Sequence, residues 1–260
     1  MPLPPIVSHP LDEVDLSAVI TEEEYKARLK PLQAEAAELT YLLYRHHIPT
    51  IAVFEGSDAA GKGGCIRRLT RQMDPRSYMV ATTSAPSKYE LSHHYLWRFY
   101  QTFPLPGHLT IYDRSWYGRV MVERIEGFAS PKRWQAAYKE INDMEESLVE
   151  DGYLIIKYLL VIDKDTQLAR FQDRQNNPSK NYKITDEDWR NREKFDAYTQ
   201  AMNDMLVRTS TASAPWTVIP SVDKPYARIR VLETFIQAAK EALQKKGLHV
   251  KITVQKSKDK

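Results

Sequence analysis

Gly56, Gly61 and Lys62 stand in the spacing Gly-x-x-x-x-Gly-Lys, within the stretch TIAVFEGSDAAGKGGCIRRLTR at 50–71. A loop of this spacing presents successive backbone N–H groups to phosphate oxygens and lays a lysine along them. A short apolar strand, IAVF, leads into it, and an arginine-rich helix leaves it with its N-terminus facing the same anion. Gly56, Ala59, Ala60, Gly61, Gly63 and Gly64 are the cradle residues of this reading. Two positions are unusual. Gly63 stands where a Ser or Thr hydroxyl normally binds magnesium. Asp58 puts a carboxylate inside a loop made for anions, which is costly unless it binds a metal or steers a substrate.

Two further constellations suit the same chemistry. The apolar run HLTIY at 108–112 ends on Asp113-Arg114. An aspartate directly after such a strand is where a P-loop enzyme holds magnesium, and an adjacent arginine can grip phosphoryl oxygens. The plainer alternative is a solvated strand end with an Asp–Arg pair. Charge is concentrated again from Asp163 to Phe195, where Arg170 and Arg174 share one helical face and Lys180 and Lys183 follow. This helix–loop–helix reads as a lid that closes arginines over the site, or as an exposed charged hairpin. Arg67, Arg68 and Arg71, after the loop, are read either as holding a polyanion or as solvated.

These residues need elements to position them. Strands are expected at 50–54, 78–82, 108–112, 153–162 and 215–220. Helices are expected from Thr21 to Arg45, broken or kinked at Pro31, and over 62–73, 90–102, 131–149, 163–175, 186–208 and 226–246. Apolar strands alternating with helices, with phosphate chemistry after the first and third strands, make an open parallel α/β fold with both sheet faces covered. Residues 1–20 read as an N-terminal arm, 21–247 as one catalytic domain with its lid at about 164–208, and 248–260 as a basic tail able to add an edge strand in an oligomer.

Composition excludes several classes. A net charge of +3 over 260 residues is too weak for a dedicated nucleic-acid protein. The single cysteine, Cys65, excludes an internal disulfide and every cysteine-based zinc pattern. The first residues lack a basic segment followed by an apolar run, and no stretch approaches a spanning helix, so a cytoplasmic enzyme without membrane association is expected.

GSDAAGKGG at 56–64, YDRSWYGR at 112–119, VERIEGF at 122–128, DEDWRNREKFDAY at 186–198 and TSTASAPWTVIP at 209–220 closely resemble the polyphosphate kinase 2 family. The resemblance implies a P-loop kinase-like three-layer sandwich with an open parallel five-stranded sheet and a helical lid. It implies a polyphosphate-dependent nucleotide kinase, reversible and Mg2+-dependent with Mn2+ able to substitute. Such an enzyme moves the terminal phosphoryl group of inorganic polyphosphate to AMP and/or ADP, with GMP and GDP as further acceptors; AMP alone is the alternative. It also implies a homodimer or homotetramer and no nucleic-acid partner. Carried over by position, the catalytic residues are Asp58, Lys62, Asp113, Arg114 and Arg174, with Arg170 as helper and Asp58 and Asp113 as the metal carboxylates. Arg67, Arg68, Arg71, Lys88, Arg119 and Arg124 are candidates for a channel along the polyphosphate chain. Gly118, often asparagine in the family, resembles the AMP-phosphorylating members, and Tyr182 replaces a usual lid tryptophan with another aromatic ring. The rival classes are an ATP-dependent nucleotide kinase, a regulatory or nucleic-acid-binding P-loop protein, and a purely structural protein.

Overall fold

The computed structural model of the chain describes residues 3–248. Residues 249–260, with most of the tail expected to add an edge strand, lie outside the described residues. The strands are β1 (Thr50–Gly56), β2 (Tyr78–Thr82), β3 (Leu109–Asp113), β4 (Leu154–Val161) and β5 (Trp216–Pro220). They pair in the order β2-β3-β1-β4-β5, every pair parallel. Helix α1 (Glu22–Arg45) precedes β1, and between the strands lie α2 (Lys62–Leu69), α3 (Lys88–Leu91), α4 (Trp97–Tyr100), α5 (Val122–Ile125) and α6 (Pro131–Glu150). The remaining helices are α7 (Lys164–Asn176), α8 (Asp186–Glu193), α9 (Phe195–Thr209) and α10 (Lys224–Lys245).

The pleat of β1 explains the layers. Ala52 and Phe54 point to one face, into a core with Ala36, Leu39 and Leu43 of α1, Cys65 and Leu69 of α2, and Leu232 and Phe235 of α10. Ile51 and Val53 point to the other, into a core with Ala137 and Ile141 of α6 and Met202, Met205 and Leu206 of α9. Strands buried on both faces read as unbroken apolar runs, which is why YLIIKYLLVI was legible. The exception inside that run is Lys157, buried in the second core and fully paired there. No helix among the described residues is long and apolar enough to cross a membrane.

Two expectations are corrected. Pro31 does not break the first helix: α1 continues through it to Arg45, with the ring on the exposed side. The helix expected at 90–102 is two short turns, α3 and α4, separated at His93-His94. Leu91 is 68% exposed, whereas Leu96 and Phe99 are buried. The Ser87–Glu90 capping box starts α3, but one apolar face does not carry across both turns, and His93 stacks on Trp97 instead.

The order of the strands decides where the site lies. From β1 the chain crosses to β2 and returns to β3 on one side, then crosses to β4 on the other. Beyond the carboxyl ends of β1, β3 and β4 this reversal leaves a crevice, the place where open α/β sheets bind ligands.

Candidate active site

The loop leaves β1 through Gly56, whose φ is +136°. A Cβ there would stand 2.1 Å from the carbonyl oxygen of Leu160 on β4, so only glycine fits. Gly61, with φ +106°, starts α2 in the left-handed region. Ala59, with φ +62°, is in the same region without glycine's freedom, a strained conformation held by what the loop's carbonyls touch.

Those carbonyls are engaged one after another. Lys62 Nζ donates to the oxygens of Gly56 (2.7 Å) and Ser57 (3.2 Å). Gln167 Nε2 donates to that of Asp58 (3.2 Å). Arg170 Nη1 donates to those of Ala59 (2.8 Å) and Ala60 (3.2 Å), and Ser221 Oγ donates to that of Ala60. The Ala60 N–H is taken by the Ser57 carbonyl (3.1 Å). With the carbonyls fastened behind, the other N–H groups of the loop and those of the first turn of α2 remain for an anion.

Asp58, Asp113, Arg114 and Lys62 are brought together as the sequence predicts. Phe54 pairs with Asp113 across β1 and β3, and Arg114 N–H donates to the Phe54 carbonyl (3.1 Å). Arg114 has φ +65° and is held there by that bond and by Thr83 Oγ1 on its carbonyl (2.7 Å). Its guanidinium, half exposed, donates through Nη2 to Asp58 Oδ1 at 2.7 Å. Asn191 of α8 donates through Nδ2 to the other oxygen, Asp58 Oδ2, at 2.9 Å. Burial would raise the Asp58 carboxyl, but Lys62, Arg114 and the Asn191 bond outweigh it and hold it below its ordinary value. Burial, with the Arg114 charge beside it, pushes the Lys62 ammonium below its ordinary value against the pull of Asp58, Asp113 and Glu55.

Asp58 and Asp113 both act on Lys62 and on Arg114. A Cβ on Gly63 would stand 3.9 Å from Asp113 Oδ2, so the glycine leaves the space beside that carboxylate open. No group of three His, Cys, Asp or Glu among the described residues forms a cage for a metal. Magnesium does not need one: it is held by one or two carboxylates together with waters and substrate phosphates. The hard oxygens of Asp58 and Asp113 beside a phosphate cradle fit that manner of binding.

Behind α2 lies a cavity of about 370 Å³ that opens on the loop. Arg68 of α2 and Arg170 and Arg174 of α7 line it, joined by Lys180 and Lys183 of the following turn and by Lys224 and Arg228 of α10. Asp173 is the one acidic residue in the lining and is paired with Lys180 at 2.8 Å. Burial and the neighbouring Arg170 push the Lys224 ammonium down. A larger cavity of about 920 Å³ lies at the opposite end of the sheet, where β4 and β5 begin. Its charges are mixed, Glu35, Glu233 and Glu241 beside Arg230, Lys240, Lys245 and Lys246, with Lys240 paired to Glu35 and Arg230 to Glu233, so it offers no comparable field.

The structure separates the other predicted cations. Arg170 is buried under the loop, its guanidinium given to the carbonyls of Ala59, Ala60, Ser221 and Val222. Arg174, one turn on, makes a single bond to the Lys183 carbonyl (3.1 Å). Of the channel candidates only Arg68 lines the cavity. Arg67, Arg71 and Lys88 are exposed. Arg119 pairs with Glu123 and stacks on Tyr95, and Arg124 pairs with Asp204 and stacks on Trp134, both on the side of the second core. Gly118 lies in the turn after Arg114, and Tyr182 is 74% exposed.

Sequence reasoning missed Glu55, Asn191, Lys224 and Arg228. Glu55 looks like the last residue of a strand, yet it is buried and accepts both Ser115 N–H and Ser115 Oγ–H at 2.8 Å. It thereby ties the Asp113-Arg114-Ser115 turn to β1, and burial raises its carboxyl. Lys224 and Arg228 are far from the loop in sequence and carry no spacing signal.

Residues 19–247 match the family described as Polyphosphate kinase 2 (PPK2). A polyphosphate:AMP phosphotransferase of Pseudomonas aeruginosa is 50% identical over 236 residues, which are 90% of this chain and 47% of that protein. One of Acinetobacter johnsonii is 47% identical over 219 residues, 84% of this chain and 45% of that protein. An NDP-polyphosphate phosphotransferase of Ruegeria pomeroyi is 36% identical over 219 residues, 84% of this chain and 73% of that protein. A crystal structure of a polyphosphate kinase 2 from Pseudomonas aeruginosa superposes with a TM-score of 0.88 at 49% identity, covering 91% of this chain and 52% of that one. The chain spans about half the length of the AMP phosphotransferases it matches. It belongs to the polyphosphate kinase 2 family.

Proposed function

We propose that this chain is a phosphotransferase that moves the terminal phosphoryl group of inorganic polyphosphate to AMP, with Mg2+ as the cation and Mn2+ able to replace it. The observation that carries the donor is the cavity at the loop, whose charged lining residues are all cationic but for Asp173. A chain of phosphates is recognised by repeated charge, and Arg68, Arg174, Lys183, Lys224 and Arg228 offer that repetition without an aromatic slot for a base. AMP as acceptor, rather than a broad range of mono- and diphosphates, is supported by greater similarity to the relatives named for AMP than to the one named for NDP.

In this reading Asp58 and Asp113 would hold the cation, which when bound would supply Lewis acidity and offset charge on the phosphates. The chain's own groups do the rest. The loop N–H groups and Lys62 hold the terminal phosphates of the donor. Arg114 stands at the mouth of the crevice, where its guanidinium can pass from Asp58 to the transferring phosphoryl group. Arg174 lies across the cavity, with four of its five donors not engaged by the bond to Lys183. Transfer of this kind needs positioned positive charge more than covalent chemistry. Arg170 and Glu55 act one step back, fixing the loop and the β3 exit.

The test offers the purified chain Mg2+ and long-chain polyphosphate with AMP, ADP, GMP or GDP separately, and resolves the products by charge. ADP formed from AMP, with little product from ADP or GDP, is the expected result. Comparable rates with ADP would restore the broader acceptor range. Transfer to AMP from ATP but not from polyphosphate would replace the reading with an ordinary nucleotide kinase. The family resemblance also supports a homodimer or homotetramer, which light scattering on the same preparation measures.

A further inference from the structure

Asp58 has an unusual occupation for a carboxylate read as a cation ligand: each of its oxygens already has a protein donor. Arg114 holds Oδ1 at 2.7 Å and Asn191 holds Oδ2 at 2.9 Å. Its side chain is only 11% exposed. The two donors differ in kind. Arg114 follows β3 and is anchored to β1 and to Thr83 through its backbone. Asn191 belongs to α8, which has no buried residue of its own. Nothing in its packing fastens α8 down as firmly as the helices of the two cores.

Which end of the Asn191 amide faces Asp58 is fixed by a neighbour. Tyr198 Oη donates to Asn191 Oδ1 at 3.3 Å, so the amide N–H2 is the end left for the carboxylate. A second thread runs in parallel. Arg192 donates to the Lys164 carbonyl and to Gln167 Oε1 (3.3 Å), and Gln167 donates to the Asp58 carbonyl. Two consecutive side chains of α8 therefore report on one residue of the loop, one through its carboxylate and one through its backbone.

We propose that Asn191 is a positioning residue that couples the placement of α8 to the loading of Asp58. The amide hydrogens carry partial positive charge and lie on Oδ2, so they and a cation compete for the same oxygen. While the carboxylate is free, Asn191 holds α8 on the loop. When a cation takes Oδ2, the amide is released or turns, and α8 stays attached through Arg192 and Gln167 and through Trp189, which packs edge-on against the buried Phe171 of α7 at 5.2 Å. Linkage requires the effect to run both ways: whatever α8 loses on loading, the cation gains when the latch is removed. The inference rests on the proposed role of Asp58 in cation binding.

The experiment uses substrate-free full chain and two readouts, Mn2+ affinity from the paramagnetic resonance of free Mn2+, and amide hydrogen exchange over 186–209. Asn191→Leu keeps the bulk and removes the donor. It is expected to bind Mn2+ about tenfold more tightly and to exchange faster in α8 by a similar factor. Asn191→Asp places a second carboxylate against Asp58 and is expected to move both readouts further in the same directions. Faster exchange with unchanged Mn2+ affinity in both variants would make Asn191 merely structural and overturn the proposal. Asp58→Asn separates this from the underlying reading. If it abolishes Mn2+ binding while the Asn191 variants match wild type, only the coupling falls. If it binds Mn2+ as wild type does, the cation site is elsewhere and both fall.

Discussion

Two lysines are buried among the described residues, and they are used differently. Lys157, in the middle of β4, spends all its N–H donors: on Glu145 Oε2 (2.7 Å), Tyr117 Oη (2.9 Å) and the Thr209 carbonyl (2.8 Å). Glu145 in turn accepts from Trp116 Nε1 and Tyr117 Oη. Nothing in that network is left over, and a charged pair at 0% and 1% exposure survives because every partner is satisfied. Lys62 is 8% exposed and has only two neutral carbonyls of its own loop, with no carboxylate in contact. Burial lowers both ammonium groups from their ordinary value. The difference is the remainder: Lys62 keeps an unused N–H donor beside the cradle, with Asp58, Asp113 and Glu55 acting on its charge without touching it, and that donor is free to meet a phosphate.

The largest expected effect breaks or keeps the first half of this contrast. Lys157→Met leaves Glu145 buried without its counter-charge and should cost about 3–5 kcal/mol in a urea titration, while Glu145→Leu with Lys157→Met should recover most of it. A single variant as stable as wild type would mean that the network is ornamental. Next comes the other half. Lys62→Met should lower the transfer rate about 10²–10³-fold, equivalent to roughly 3–4 kcal/mol at the transition state, and leave stability within about 1 kcal/mol. If it unfolded the chain as readily as Lys157→Met, the two lysines would be alike and the contrast would be lost.

The arginines one turn apart on α7 sharpen the same distinction. Arg174→Ala should resemble Lys62→Met, losing about 10²-fold or more in rate at nearly constant melting temperature. Asp163 caps the helix that carries Arg174, accepting Thr166 N–H at 2.6 Å. Asp163→Ala should therefore cost about 1 kcal/mol of stability and only a small part of the rate. A rate loss matching that of Arg174→Ala would show that the helix start does more than cap.

The smallest effect is one of pH. The Asp58 carboxyl lies below its ordinary value of 3.8 in the fold, so between the two values the unfolded chain binds more protons than the folded one. Its contribution to stability is present above 3.8 and is lost as pH falls through the folded value. Wild type should accordingly lose more stability than Asp58→Asn between pH 5 and about pH 2. Parallel curves would show that Lys62 and Arg114 do not hold the carboxylate as described.

What the sequence showed and what it hid divide along physical lines. All five strands lie within two residues of their expected places: β1, β3 and β4 because strands buried on both faces are apolar throughout, and the partly exposed edge strands β2 and β5 because they are short and bounded by turns. Asp113 was legible because a carboxylate directly after such a strand must reach the crevice. Arg119 and Arg124 were not, because charge at a plausible distance says nothing of direction, and both turn to stack on rings of the second core. Arg170 was read as facing a substrate, yet its donors are given to the loop's carbonyls. The helix at 90–102 was overcalled because its apolar residues suggest one continuous face, whereas Leu91 and Phe99 point to different surroundings.

The fastening of the loop has a consequence for synthesis. Ser221 and Ala60 are 161 residues apart, and Arg170 finds two of its carbonyl partners only at Ser221 and Val222. At ordinary translation speeds about ten to thirty seconds pass between the emergence of the cradle and that of its fastener. During that interval the nascent chain carries the residues of the anion site without their final geometry. A ribosome-bound fragment ending before Ser221 can form the bonds from Lys62, Gln167 and Arg170 to the loop's carbonyls but lacks the Ser221 hydroxyl and the two carbonyls that hold Arg170 from its other side, so the last part of the clasp is set late.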